Sequence, residues 1–309
     1  RYDIANDVHS SHLGEYYFVF KEERVSQGKD QALIKRFDEN GIPINKTYID
    51  VTDKEYVYFP ISIGQMGLSI FTTFLKTNRQ EDKERFLKFV DWFFSNAEES
   101  EFLGVRWMTD VALPAYGNPG PWQSAFSQSR GISLLLRGYQ LTADEKYMEM
   151  AEKALIPFTK PVSEGGVVSH TDWGSIYEEY TAEFPTLVLN GHIFALFGIY
   201  DFVRVFPYNK TAIEIWQNGL DALIKCLPDY DLGWWTRYNF CRHESYPDID
   251  PATIKYQNLH INQLLVMEKI TNDPVFNKYT VKWESYLKTW NYLKSYIIKY
   301  KALKKIGRL

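Results

Sequence analysis

Four consecutive residues, Tyr177-Glu178-Glu179-Tyr180, set two carboxylates and two phenols side by side. Both are groups that give and take protons. A glutamate becomes a base near neutrality when burial raises its pKa. A tyrosine, with an ordinary pKa of about 10, is a strong hydrogen-bond donor as the phenol and a competent base as the phenolate. The quartet stands directly before an apolar run, Phe184 to Gly191, that reads as a buried helix. Two more Tyr-centred segments lie downstream, Arg237-Tyr238-Asn239-Phe240 and Lys255-Tyr256-Gln257-Asn258-Leu259-His260. In a chain with 22 tyrosines, any one taken alone reads as a half-buried packing residue with its hydroxyl satisfied. The three segments acquire chemical meaning only if the fold brings them together.

The rest of the chain predicts how that happens. Residues 1–60 read as a β-rich arm: Glu15 to Phe20 as a strand, and Ala32 to Phe37 with Ile42 to Ile49 flanking the turn signal Asp38-Glu39-Asn40-Gly41. From residue 61 to 309 the apolar spacing is helical and repeats in pairs. The pairs are Ile61 to Thr77 with Gln80 to Asn96, Pro121 to Thr142 with Ala143 to Phe158, Leu187 to Phe206 with Asn209 to Leu227, and Leu259 to Thr271 with Asp273 to Tyr300. Similar Thr-rich turns, at Thr77, Thr142 and Thr271, recur at multiples of about 65 residues. The pattern predicts a mainly α fold, an α/α toroid of about four helical hairpins with the β-rich arm and β-containing loops at one mouth. The first helix of each pair would line the inside. Those helices open with small and amide residues: Ser62, Gly64 and Gln65; Ser124, Ser127 and Gln128; Asn190 and Gly191; His260, Asn262 and Gln263. Each set is either a cap for free N–H groups or cavity lining; four at one phase favour a shared polar mouth. The long connections 98–120, 159–186 and 228–258 would then all emerge there, carrying the acid and the phenols.

Composition bounds the function. Aromatics make up 17% of the 309 residues, which suits carbohydrate clefts and thick cores alike. The net charge of −4 gives no general attraction for polyanions, so nucleic acid is not an expected partner and an acidic polymer would need a local basic groove. Two cysteines, Cys226 and Cys241, make neither a disulfide scaffold nor a metal motif. No run of 18 uncharged apolar residues marks a membrane span, and the compartment stays open. After Glu284 there is no acid, while seven Lys or Arg interleave with aromatic and aliphatic residues. That segment reads as an outer helix with a solvated basic tail, or as a peripheral contact with an anionic membrane face or acidic polymer.

Several of these pieces resemble, in the same order, the heparosan and heparan sulfate D-glucuronyl C5-epimerases: Phe59 to Leu68, Ser124 to Gln128, Tyr177 to Tyr180 with Val188-Leu189-Asn190-Gly191, Tyr230 to Gly233, and Tyr256 with His260-Ile261-Asn262-Gln263-Leu264. The resemblance implies an α/α barrel and an isomerase that converts glucuronate to iduronate within an acidic polysaccharide, with no metal or other cofactor. It implies Glu179 and Tyr256 as opposed proton carriers, Tyr180 and Tyr238 as groups that polarise the substrate carboxylate, and Arg242 as its counter-ion. Gln65 and Gln128 would reach sugar hydroxyls. His260 and Asn262 would bind substrate or fix the segment bearing Tyr256. Glu178 reads as exposed or paired with an Arg. A homodimer is compatible with all of this. The chain departs from the family in having Thr181 where a Pro follows the quartet, and Cys241 where an Arg stands, with Arg242 one residue later. Two further chemistries use the same groups. A polysaccharide lyase removes the same proton and then expels the C4 substituent. A glycoside hydrolase needs two carboxylates flanking the bond, for which Glu179 with Asp172 or Asp231 are the candidates.

Overall fold

The computed structural model describes residues 2–22, 34–46 and 56–307. The chain is mainly helical, with small antiparallel sheets. Strands β1 (Ile34–Phe37), β2 (Pro43–Lys46) and β3 (Tyr56–Tyr58) form one three-stranded antiparallel sheet. The expected turn between the first two is present: Asp38 N–H donates to Ile42 O at 2.9 Å, and Gly41 takes the left-handed φ of 80° that the turn requires. The expected hairpin ends at Ala32 and Ile49 lie outside the described residues. Glu15 to Phe20 is not a strand; Phe18 makes a single bridge to Ile4.

Four pairs of helices follow. They are α1 (Pro60–Thr77) with α2 (Gln80–Ser95), α3 (Ala125–Thr142) with α4 (Glu145–Lys153), α5 (Leu189–Val205) with α6 (Lys210–Tyr230), and α7 (Ile254–Thr271) with α8 (Pro274–Glu284). A further helix, α9 (Thr289–Lys305), closes the described chain. Within each pair the two helices pack together. The first helices also pack in chain order, α1 on α3, α3 on α5 and α5 on α7.

Three of the inter-helix turns share one geometry, which explains why they look alike in sequence. Asn78, Ala143 and Asn272 each adopt a left-handed conformation, with φ of 52°, 58° and 55°. The preceding Thr77, Thr142 and Thr271 each accept a backbone N–H from two residues on, at 3.3, 3.2 and 3.1 Å. The hydroxyl replaces a hydrogen-bond partner lost where the first helix ends.

Three boundaries differ from expectation for local reasons. Helix α3 begins at Ala125, because the Ser124 side chain accepts from the N–H groups of Phe126 and Ser127 and Trp122–Gln123 pairs as a strand. Pro157 prevents α4 from running to Phe158. The last outer helix breaks after Glu284, where Tyr286 turns inward and donates to Asp231 at 2.8 Å.

Residues 2–20 contribute to the main core, as Val8, Leu13, Tyr16, Tyr17, Phe18 and Phe20 show. Tyr17 donates to Asp201 at 2.9 Å, and the same buried carboxylate accepts from Arg137 at 2.8 Å and Arg204 at 3.4 Å. Tyr17 and Phe18 pack on Phe197, and Phe18 also meets Phe194. This segment therefore lies against α5. Cys226 and Cys241 are both buried and unbridged.

Ala143 holds a conformation that costs an L-residue with a Cβ about 1 kcal/mol. Replacing Ala143→Gly should raise thermal stability by about that amount in a melting experiment, against the usual penalty for glycine near a helix.

The acid and phenol cleft

Glu179 is fixed from both sides by backbone pairing. Ala125 N–H donates to Glu178 O at 2.8 Å, Thr181 N–H to Gln123 O at 3.2 Å, and Glu178 N–H to Val167 O at 2.8 Å. The quartet continues out of the β4–β5 hairpin (Val168–Thr171 and Gly174–Tyr177). Tyr177 is core: its hydroxyl donates to Ile215 O at 2.5 Å, and its N–H donates to Nδ1 of buried His192, whose Nε2 faces Gly219 O. Burial holds His192 neutral, with its pKa lowered to about 4.

Glu178 corrects an expectation. It is buried and accepts four hydrogen bonds: from Ser169 Oγ (2.6 Å), Thr186 Oγ1 (2.7 Å), Thr186 N–H (3.1 Å) and Leu187 N–H (2.9 Å). Burial still pushes its pKa up, opposed by these donors. The bonds tie the loop before α5 to the hairpin. The loop in turn pairs with the second Tyr segment, through Leu189 N–H to Tyr238 O (3.2 Å) and Phe240 N–H to Leu187 O (3.1 Å).

Glu179 and the three other phenolic candidates then meet. Glu179, Tyr180, Tyr238, Tyr256 and Gln65 line one cleft of about 600 Å³. Its walls come from the first two turns of the first helix of all four pairs: Ser62 and Gln65 of α1, Phe126 of α3, Asn190 and Phe194 of α5, and Tyr256 and Leu259 of α7. Tyr256 sits in the first turn of a helix capped by Thr253, rather than in a loop. The rings of Tyr238 and Tyr256 meet edge to face with centroids 5.0 Å apart. Tyr180 is wedged between Trp122 (5.2 Å) and Tyr116 (5.6 Å).

Glu179 is only 4% exposed and has its pKa raised to about 7. Desolvation is the main cause and the Glu178 charge adds to it, while hydrogen bonds from Tyr180 and Asn190 pull the other way. Asn190 Nδ2 donates to Glu179 Oε2 at 3.0 Å. A Cβ on Gly191 would lie 2.3 Å from Glu179 Cβ and 2.5 Å from Oε2, so the Asn-Gly step is what allows the carboxylate to stand against α5. The Tyr238 pKa is driven well above 10 by burial, with Tyr180, Glu179 and Tyr256 adding to the rise. Tyr238 is therefore a phenol, a hydrogen-bond donor, at any physiological pH.

Four of the expected substrate-binding residues lie elsewhere. Gln128 is fully buried and spends its amide on protein: it accepts from Trp107 N–H (3.1 Å) and donates to Val105 O and Ala154 O. His260 is buried between Thr236, 2.9 Å from its Nδ1, and Trp283, with its pKa lowered to about 3 by burial. Asn262 donates back to Asn258 O within its own helix. Arg242 is exposed over the Phe240 ring and faces a separate depression with Trp173, Phe184 and His243. Arg242 does not line the cleft with the phenols, whereas its neighbour Cys241 is buried in a cluster with Tyr116, Tyr180 and Tyr246. The carboxylate pairs considered for hydrolysis are absent too: Asp172 lines that same depression, and Asp231 is held by Lys282 and Tyr286.

Other residues of the cleft were not foreseen. Lys299 of α9 and Lys255 of α7 both line it. The Lys299 ammonium lies 5.0 Å over the Tyr238 ring and donates to Asp250 Oδ1 at 2.5 Å, while Asp250 Oδ2 accepts from Tyr246. Lys255 was visible as the neighbour of Tyr256. Lys299 stood among tail lysines with nothing to mark it.

The family description "D-glucuronyl C5-epimerase C-terminus" matches residues 103–285. The chain belongs to this family. Two curated relatives each match most of this chain. An uncharacterized protein of Methanocaldococcus jannaschii is 26% identical over 269 residues, covering 81% of this chain and 85% of its own. The D-glucuronyl C5-epimerase of Caenorhabditis elegans is 29% identical over 240 residues, 73% of this chain but only 38% of the worm enzyme. This C5-epimerase family chain thus spans well under half of that relative. A solved structure of UGL with dGlcA-Glc-Rha-Glc aligns over 73% of this chain and 60% of that one, at 14% identity and a TM-score of 0.49.

The raised Glu179 pKa has a stability consequence with a definite sign. Between its ordinary value of 4.5 and about 7, the folded state keeps a proton the unfolded state has lost, so stability falls as pH rises through that window. The full loss, about 3 kcal/mol for a shift of this size, applies above pH 7. Glu179→Gln should therefore melt higher than the parent at pH 8 and match it near pH 4.5.

Proposed function

We propose that this chain is a uronyl C5-epimerase that converts glucuronate to iduronate residues within a heparosan-like acidic polysaccharide, on an α/α toroid of which the four helix pairs form the arc. The observation that carries the reading is the lining of one cleft by the buried carboxylate of Glu179, with a pKa near 7, and by the phenol of Tyr256 in the first turn of its helix.

The hydrogen at C5 lies α to a carboxylate and is weakly acidic, because its removal adds a second negative charge to an anion. Glu179 has the pKa of a base that works at neutral pH. It takes the proton from one face of the ring, and Tyr256 returns one to the other. In the reverse direction the two exchange roles. The charge that builds on the carboxylate as C5 opens is met by phenol donors, Tyr238 and Tyr180, strongest where water is excluded. Positive charge comes from Lys255 and Lys299 and from the helix N-termini around the cleft, which favour an anion by about 0.3–1 kcal/mol each. With Arg242 facing away, these groups replace the expected counter-ion. Asp250 restrains Lys299, and the flat rings of Phe18, Phe20, Phe59, Phe126 and Phe194 offer stacking surfaces for a pyranose.

Heparosan incubated with the protein in deuterated buffer should gain deuterium at C5, followed by proton NMR, without chain cleavage. Glu179→Gln and Tyr256→Phe should fold and lose at least about 100-fold of the rate at which deuterated iduronate forms. Normal iduronate formation by both variants would remove these residues from the mechanism. Ultraviolet absorbance from unsaturated uronate would instead identify a lyase.

A further inference from the structure

Helix α9 has two faces of opposite character. Its inner face carries Ser295 and Ala302 into the fold, and Lys299, Leu303 and Ile306 to the cleft. Its outer face carries Trp290, Leu293, Ile297 and Tyr300, spaced i, i+3, i+7 and i+10, with Tyr296 beside them. Trp290 is 81% exposed and the other four are each more than half exposed. This is a continuous apolar and aromatic stripe left in water, and isolated exposed side chains do not account for it. The flanks are basic: Lys288, Lys294, Lys301, Lys304 and Lys305 are all exposed, and no acid occurs after Glu284.

We infer that this face docks on an anionic lipid surface. Charge decides among occupants. A second copy laid helix to helix would bring two acid-free lysine flanks together, and like charges across an interface oppose association. An acidic polysaccharide would satisfy the lysines and could stack on an aromatic ring, but would leave the leucine and isoleucine in water. A bilayer interface with anionic headgroups takes both: the apolar stripe sinks to the acyl boundary, tryptophan and tyrosine sit at headgroup level, and lysines meet the phosphates. Each lysine near such a surface adds to the attraction, and added salt weakens it. The helix is surface-seeking rather than spanning, since no described helix is long and apolar enough to cross a membrane. Because its opposite face holds Lys299 over Tyr238, docking would hold the cleft at the lipid surface.

The test is co-sedimentation of the whole chain with extruded vesicles, either phosphatidylcholine alone or with about 30% phosphatidylglycerol, at physiological salt. Binding to the anionic vesicles and little to the neutral ones is expected. The double variant Trp290→Ser with Ile297→Ser should reduce it at least tenfold, with an unchanged circular dichroism spectrum and melting point. Lys301→Gln with Lys304→Gln should weaken it and flatten its salt dependence. Three results would overturn the inference: equal binding to both vesicles or to neither; full binding by the serine variant, which means electrostatic adhesion alone; or a dimer in analytical ultracentrifugation that the serine variant abolishes.

Discussion

The buried carboxylate of Glu178 is the tie on which the site depends. A lone carboxylate in a protein interior is costly, and four donors from Ser169, Thr186 and Leu187 compensate this one. Those donors lie on two separate stretches, so satisfying the charge fixes the hairpin against the loop that enters α5. The loop carries Tyr238 on its other edge through backbone pairing. Removing the carboxylate would release the hairpin from the loop and leave Glu179, Tyr238 and Asn190 without a common frame. Of the two adjacent acids, the first is satisfied and structural. Burial raises both pKa values, but Glu178 is opposed by four donors, while Glu179, with fewer, is pushed up to about 7.

The convergence of the N-termini of the first helix of each pair supplies the electrostatics. A cleft ringed by helix starts collects backbone N–H groups and the positive ends of dipoles, so a chain with a net charge of −4 still has a region that favours anions. The core around it is aromatic and tight, and Gly191 lets Glu179 approach α5 more closely than any side chain would allow. Asp201 performs the equivalent service for the N-terminal segment: it collects Tyr17, Arg137 and Arg204, and so carries Phe18 and Phe20 to the cleft.

Much of this was legible in the sequence because it rests on short-range rules. The helix pairs follow from apolar spacing, and their recurring turns from a threonine that accepts the N–H two residues ahead, a geometry that leaves a sequence mark. The gathering of Glu179, Tyr180, Tyr238 and Tyr256 followed from alternating helix direction. What could not be read was side-chain direction beyond the backbone. Gln128 and His260 have the right types at the right phase, yet they turn into the core to satisfy Val105, Ala154 and Thr236. Arg242 follows Cys241 where one residue decides which side of an extended segment faces the phenols. Lys299 is separated from Tyr238 by 61 positions in sequence, and only packing reveals the contact.

The account's central claim is that two carriers face each other across one uronate. The most direct measurement is the isotopic fate of C5 in the first turnovers of glucuronate-containing polymer in deuterated water. Two opposed carriers predict that each newly formed iduronate bears deuterium at C5 from its first appearance. Iduronate that retains the original hydrogen would show a single carrier serving both faces and would contradict the assignment of Glu179 and Tyr256 to opposite sides.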